Sequence, residues 1–313
     1  MCTQNKLIKK GGFKSKRLNE IFNDYILYLE TSGLAEQTQV WRIKHVSRFF
    51  SYVDTSAKKP VDILPIYVYD YINSIQHKLS VRTIYNRSTC IRLLFDWMYE
   101  NDLSKFKGIQ IFGKLRKPMR SNILSYYHND ELKLLLDNIE IDSKNGKRDY
   151  LLISLFVYYG FRQNDLRNLK ISEINWRKEK ITMTQNKTRK EIELFLIAEV
   201  KFALLDYLIN ARPQSSAEYL FVRKNGRQYS HGQLGSIVRD CFLKSGVNTN
   251  NRKTGSHSLR HSLASNLLRQ NSKLSIIAQV LGHSDLKSTA VYLAIDELKL
   301  KQLALEVPIW TSN

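Results

Sequence analysis

Apolar positions fall at helical spacing from Leu18 onward. Leu18, Ile21, Phe22, Tyr25, Ile26 and Leu29 line one face, and Gly33 supplies a stop. Val40, Ile43, Val46, Phe50 and Val53 repeat the pattern, with Arg42, Lys44 and Arg48 off the stripe. A third helix is predicted from about Pro65 to Gln76, with Pro65 near its start, where a missing N–H costs little. Ser80 is placed to cap a fourth. Its Ile84, Ser88, Ile91, Phe95 and Met98 face inward, while Arg82, Arg87 and Arg92 point largely away.

The pattern then breaks. Residues 103–125, LSKFKGIQIFGKLRKPMRSNILS, carry two glycines, a proline and a run of Lys and Arg that includes Lys114, Arg116 and Lys117. Linkers concentrate such residues, and this charge would let the segment follow a polyanion groove. A second unit is predicted to begin with Asn129–Asp130 as a capping pair before ELKLLLDNI, followed by the apolar helix DYLLISLFVYYG. Two strand-like runs, EKITMTQ and KEIELFL, flank the basic turn NKTRK, and helices dominate after them. The expected division is a basic extension over 1–15, a helical domain over 16–102, a linker over 103–125 and a second domain over 126–313. The fold class is mainly α, with a small β-hairpin or sheet and two domains.

Composition narrows the function. The 313 residues include 49 Lys and Arg against 29 Asp and Glu, a formal charge of +20. Residues 1–124 hold 21 basic and 10 acidic side chains and the remainder 28 and 19, so both parts are basic. Such a chain suits a polyanion partner, because neutralising phosphates releases condensed counterions; a merely solubilising surface is the plainer alternative. The longest apolar run, Leu151 to Tyr159, is far short of the ~20 residues that span a bilayer. Cys2, Cys90 and Cys241 are widely spaced and suggest neither a disulfide framework nor a zinc site. The basic N-terminus has no apolar core behind it, so a signal peptide is not expected. A cytoplasmic, nucleoid-associated location and the absence of a membrane partner are the corresponding expectations.

Candidate chemistry is scattered through the second unit. FRQNDLRNLKISEIN places Arg162 at a helix junction with Asp165 three residues on, close enough to orient its guanidinium. Lys187 sits in the turn between the strands. SHSLRHSLASNLL puts His257 and Arg260 three apart on one helix face, where a forked guanidinium and an imidazole could grip one phosphate. His283 follows a Leu-Gly turn, and Tyr292 comes nine residues later. Taken singly, these are an ordinary Arg–Asp pair, a solvent-facing lysine, a chance HxxR and one of 17 tyrosines.

Together, and in this order, they resemble the tyrosine recombinase family of lambda-integrase and Xer-like enzymes. GFRQNDL is similar to the family's GLRxxEL box and TQNKTRKEIELFL to its β-hairpin lysine. HSLRHSLASNLL is similar to its HxLRH box, and LGHSDLKSTAVY to its LGHxxxxxTxxxY ending. EQTQVWRIKHVSRFFSYV and SVRTIYNRSTCIRLLFDWM resemble its helical core-binding domain, so the likeness covers about residues 16–300. Asp165 stands where Glu is commoner, Gln163 replaces an apolar residue, and the lysine turn lacks glycines.

The resemblance implies an N-terminal SAM-like core-binding bundle and a C-terminal α+β catalytic domain. It implies strand cleavage and rejoining of double-stranded DNA at a short core site, without cofactor, metal or ATP. Arg162 and Arg260 would hold the non-bridging oxygens, with His257 and His283 adding hydrogen bonds. Lys187 would protonate the departing 5′-oxygen, and Tyr292 would attack phosphorus. Asp165 would orient Arg162 from behind. Arg42, Lys44, Arg48, Arg82, Arg87, Arg92, Lys114, Arg116 and Lys117 are the candidate DNA contacts. The resemblance further implies a homotetramer on two sites, with the apolar stripe Leu298, Leu300, Leu303, Leu305 and Val307 of the tail docking on a neighbouring subunit, although such a stripe is more commonly part of the chain's own core; an accessory factor is left open. With about fifteen residues before the first helix, a separate arm-binding domain is not expected. A type IB topoisomerase and a DNA-binding regulator with a retired site are the competing readings. The LGH box and the extended tail favour the recombinase over the first, and the complete boxes over the second.

Overall fold

A computed structural model describes residues 12–56, 63–118, 125–186, 188 and 190–282. Contacts divide the chain into two compact units, Met1–Ser121 and Asn122–Asn313, each with its own apolar core. The described residues are mainly helical, with one small three-stranded sheet.

The first unit contains α1 (Lys16–Thr31), α2 (Glu36–Ser56), α3 (Pro65–Gln76), α4 (Val81–Glu100) and the short α5 (Gly108–Phe112). Ser15 caps α1 through its hydroxyl, which accepts from the Leu18 N–H at 3.3 Å, and Ser80 caps α4 in the same way through Thr83. The backbone N–H groups of Lys14 and Ser15 donate to the Asp54 carboxylate at 2.7 and 2.9 Å, fixing the start of α1 on α2. Phe22, Tyr25, Phe49, Phe50, Leu94 and Phe95 are wholly buried between the helices.

The stretch expected as linker is partly ordered structure. Leu103, Ile111 and Phe112 join the first core, and α5 lies against α4 with the Gly108 N–H donating to Asp96 at 2.9 Å. A Cβ on Gly108 would stand 2.2 Å from the Arg92 carbonyl oxygen, so the glycine marks close backbone approach as well as a break.

The second unit runs through α6 (Asn129–Asp137), α7 (Lys144–Tyr159), α8 (Gln163–Asn168), β1 (Ile174–Asn175), β2 (Lys180–Thr184) and β3 (Glu191–Phe195). It continues with α9 (Ala198–Asp206), α10 (Gln233–Lys244), α11 (Ser256–Arg269) and α12 (Leu274–Leu281). The strands are antiparallel in the order β1-β2-β3, with Ile174 opposite Ile181 and Thr184 opposite Glu191. β1 is only two residues long, too short to leave an alternating pattern in the sequence. The cap of α6 also differs from expectation: His128 occupies it, and Asn129 is the first helical residue. Glu131 reaches back to the His128 N–H at 2.9 Å, while the Asn129 side chain accepts from Asn266 on α11 at 2.7 Å.

Helix α7 is apolar on almost every face because α6, α9, α10 and α11 surround it. It ends at Gly160, whose φ of +59° belongs to the left-handed region; a Cβ there would meet Leu263 at 2.9 Å and Leu281 at 3.0 Å. That close approach brings the end of α7 against both α11 and the end of α12. The segment preceding α6 is pinned to α11 as well. Tyr127 donates its backbone N–H to Ser262 at 2.7 Å, and its carbonyl accepts from Asn266 at 3.2 Å.

Candidate active site

Two arginines nearly a hundred residues apart in sequence converge on one turn. Arg162 precedes α8 in extended conformation, so its side chain leaves the helix start; Arg260 lies one turn into α11. Arg260 is 5% exposed, donating from Nη1 to the Gly160 carbonyl at 2.6 Å and from Nη2 to the Leu281 carbonyl at 2.5 Å. Arg162 donates from Nη2 to the next carbonyl, that of Gly282, at 3.4 Å. Gly282 terminates α12 with φ +60°, which turns consecutive carbonyls toward the two guanidinium groups.

Asp165 lies behind Arg162, one turn along. It is 1% exposed, and its Oδ2 stands 3.8 Å from Arg162 Nη1. Its Oδ1 accepts from the Asn186 backbone N–H at 2.9 Å and from the Asn186 side chain at 3.3 Å. One buried carboxylate therefore serves both the arginine and the start of the β2–β3 turn. Gln163 fits between α10 and α11: its Oε1 accepts from Ser256 at 3.3 Å, and a Cβ on Gly235 would approach it to 2.6 Å. A glycine and a serine thus accommodate a polar side chain where the resembling box carries an apolar one.

Gln185 was not among the residues singled out from sequence, yet it occupies the middle of the constellation. Its Oε1 accepts from Arg162 Nη1 at 2.8 Å and from the Thr188 hydroxyl at 2.7 Å, and its Nε2 donates to the Leu281 carbonyl at 3.4 Å. Its backbone N–H closes the hairpin onto the Lys190 carbonyl at 2.8 Å. A sequence signal existed. Ile181 and Met183 face the core, and strand alternation puts Gln185 on that side, where a buried amide needs partners.

His257 sits in the first turn of α11, one turn before Arg260, with its residue surface exposed. Lys187, His283, Tyr292 and the tail residues Leu298, Leu300, Leu303, Leu305 and Val307 lie outside the described residues. By sequence, Lys187 falls between Asn186 and Thr188, and His283 directly follows Gly282.

The other candidate contacts belong to the first unit. Lys44, Arg48, Lys114, Arg116 and Lys117 are exposed, and Arg42 is half-buried. Arg82, Arg87 and Arg92 are half-buried too, which departs from the expected outward face. Arg82 donates to the Pro118 carbonyl at 3.1 Å, Arg87 donates to the Tyr71 hydroxyl at 2.8 Å, and the Arg92 stem packs beneath α5. Long stems of this kind can cover apolar surface, and the heads of Arg82 and Arg87 brace neighbouring segments. His45, 7% exposed among them, has its pKa lowered to about 4 by burial and then by the positive charges of Arg48, Arg87 and Lys44.

Among the described residues no group of three or more His, Cys, Asp or Glu is placed to hold a metal ion, and no helix is long and apolar enough to cross a membrane.

The chain is similar to known proteins in sequence and fold. The model of the phage integrase family matches residues 126–299. A tyrosine recombinase of Pseudothermotoga lettingae is 25% identical over 286 residues, covering 90% of this chain and 94% of that protein. Tyrosine recombinase XerA of Pyrococcus furiosus is 30% identical over 203 residues, covering 63% of this chain and 68% of that protein. The solved structure of the XerH site-specific recombinase, in a post-cleavage complex with palindromic difH substrate, matches with a TM-score of 0.69. That match has 20% identity and covers 94% of this chain and 90% of the other, which shows a common fold.

Proposed function

From the premise that this chain belongs to the phage integrase family and is a tyrosine-type site-specific DNA recombinase, we propose that it cuts and rejoins double-stranded DNA through a covalent bond between Tyr292 and a DNA 3′-phosphate. The observation that carries this reading is the pairing of Arg162 and Arg260 on the Leu281–Gly282 turn, immediately before the LGH histidine. A phosphodiester already bears a negative charge and repels an anionic nucleophile, and attack concentrates more charge on its oxygens. Two guanidinium groups held in place before substrate arrives stabilise that charge without reorganising.

Each residue then has a role. Arg162 and Arg260 bind the non-bridging oxygens, and His257, one turn from Arg260, donates a further hydrogen bond and accepts the phenol proton. Nearby cations favour the Tyr292 phenolate, which otherwise forms only near pH ~10. The phenolate oxygen bonds to phosphorus as the bond from phosphorus to the 5′-oxygen breaks, and Lys187 protonates that oxygen. His283 adds a bond to the phosphate. Rejoining reverses the sequence: a 5′-hydroxyl displaces the tyrosine, and the phosphodiester energy is conserved in the linkage. Four copies on two core sites exchange strands through a Holliday junction, with the chain after Tyr292 docking on a neighbour. The exposed Lys44, Arg48, Lys114, Arg116 and Lys117 contact the phosphate backbone.

The test is trapping from a randomised duplex pool. Protein-linked fragments captured after denaturation identify the preferred site. Arg162→Ala and Arg260→Lys should then lose most adduct on that site while binding it within about 3-fold of the wild type, because catalytic contacts strengthen mainly in the transition state. Parallel losses of binding and adduct would mean that these arginines only seat the duplex.

A further inference from the structure

We propose that Gln185 is a positioning residue that sets Arg162, the turn bearing Lys187 and the end of α12 as one unit. The inference rests on the recombinase reading and adds a residue to it.

Three separate segments meet at one carboxamide. The oxygen accepts from Arg162 at 2.8 Å and from Thr188 at 2.7 Å, while the nitrogen donates to Leu281 at 3.4 Å. Thr188 follows Lys187 directly, and Leu281 precedes His283 by two residues. The surroundings are shaped to this side chain. Gln185 is 3% exposed, and a Cβ on Gly282 would fall 2.2 Å from its Nε2 and 2.5 Å from its Oε1. A larger residue at 282 would displace the carboxamide, so the glycine leaves room for the glutamine as well as making the turn.

The chemistry singles out an amide for this position. A carboxylate would accept from Arg162 and Thr188 but would face the Leu281 carbonyl with no proton to donate. A hydrocarbon would take the acceptor from Arg162 Nη1 and the Thr188 hydroxyl and leave the Leu281 carbonyl to Arg260 alone, loosening the tie between the three segments. Glutamine offers an acceptor to the cation and hydroxyl and a donor to the helix end. A shift of any segment is thereby felt by the other two. The geometry also divides the labour at Arg162. Asp165 lies near the guanidinium and holds Asn186 on one side of Lys187, while Gln185 holds Thr188 on the other.

The experiment compares Gln185→Met and Gln185→Glu with the wild type on the trapped site. It uses two substrates, one with the natural 5′-oxygen and one with a bridging sulfur that departs without a proton. Gln185→Met should bind DNA as the wild type does but form adduct about 100-fold more slowly, the penalty for misplacing reacting groups by about an ångström. The deficit should shrink several-fold on the sulfur substrate, because the share owed to a displaced Lys187 vanishes there. Gln185→Glu, keeping two of the three bonds, should recover part of the rate. In a Lys187→Ala background, Gln185→Met should cost less than it does alone.

A Gln185→Met protein that cleaves at the wild-type rate overturns the inference. So does one that loses equally on both substrates and adds fully to Lys187→Ala. Failure of the wild type itself to form an adduct would instead bring down the recombinase chemistry, and this inference with it.

Discussion

Replacing Asp165 with asparagine removes one charge while keeping the shape of the side chain. In the structure the carboxylate is 1% exposed, 3.8 Å from Arg162 Nη1, and accepts twice from Asn186. The substituted amide can still present its oxygen to the Asn186 N–H, so that bond survives. What changes is the other edge, where an NH2 group now faces a guanidinium and donor meets donor. Two unit charges about 4 Å apart at an effective dielectric near 20 interact by roughly 4 kcal/mol, and part of that is recovered by desolvating a neutral group instead of an anion. A net loss of about 2–3 kcal/mol follows once that offset is taken from the Coulombic attraction. Expressed in the transition state, that is roughly 30- to 150-fold in cleavage rate. Expressed in the ground state, it lowers the melting temperature of a unit this size by about 4–12 °C. Single-turnover adduct formation and a thermal melt read the two effects separately, with DNA affinity as the control. Wild-type cleavage by Asp165→Asn would refute the reasoning, since Arg162 would then need only Gln185 and the Gly282 carbonyl to hold it.

Three further outcomes follow from particular contacts. His45 is held neutral in the folded protein, with a pKa of about 4 against 6.5 for the ordinary group; between those values the unfolded chain binds a proton that the folded chain does not. Stability therefore falls as pH drops from about 6.5 toward about 4, by up to roughly 3 kcal/mol, and melting of His45→Leu should be less sensitive to that drop. Gly282→Ala should slow adduct formation by at least about 10-fold, because φ +60° already costs a non-glycine residue about 1–2 kcal/mol and the new methyl meets Gln185. Adding Gln185→Ala should not deepen that defect by its full single-mutant amount. Lys44→Ala and Arg48→Ala should each lower the slope of log affinity against log salt by about 1, uniformly across sequences, as phosphate contacts do; an unchanged slope would remove them from the DNA-facing surface.

Long periodic stretches carried most of the fold. α1 to α4 were legible because each buries a stripe at helical spacing and is bounded by a serine, proline or glycine that does one local job. The β2–β3 hairpin was legible from alternation. β1 was hidden by its length, and α5 by its composition: Gly108 and its basic neighbours look like linker until Ile111 and Phe112 find a core to enter. The site was legible in its charged members, because Arg, His and Asp at motif spacing stand out as chemistry. Gln185 was not, since a glutamine beside a turn resembles any surface residue. Only its parity with Ile181 and Met183 marks it as buried, and only the fold shows that Arg162, Thr188 and Leu281 are what it meets. The half-burial of Arg82, Arg87 and Arg92 escaped for a related reason. Helical spacing tells which way a side chain leaves its own helix, whereas α3 and the segment around Pro118, which receive two of the heads, are distant in sequence.

The measurement that bears most directly on the central claim is covalent capture. Wild type and Tyr292→Phe are incubated with the duplex pool without added metal or nucleotide, denatured, and digested, and the peptides are mapped by mass spectrometry. The account predicts a wild-type peptide containing Tyr292 that carries nucleotide on its phenol oxygen through a 3′-phosphate, and no linked DNA from Tyr292→Phe at undiminished DNA binding. Nucleotide on another residue, equal capture by both proteins, or no capture by a wild type that binds DNA would contradict it.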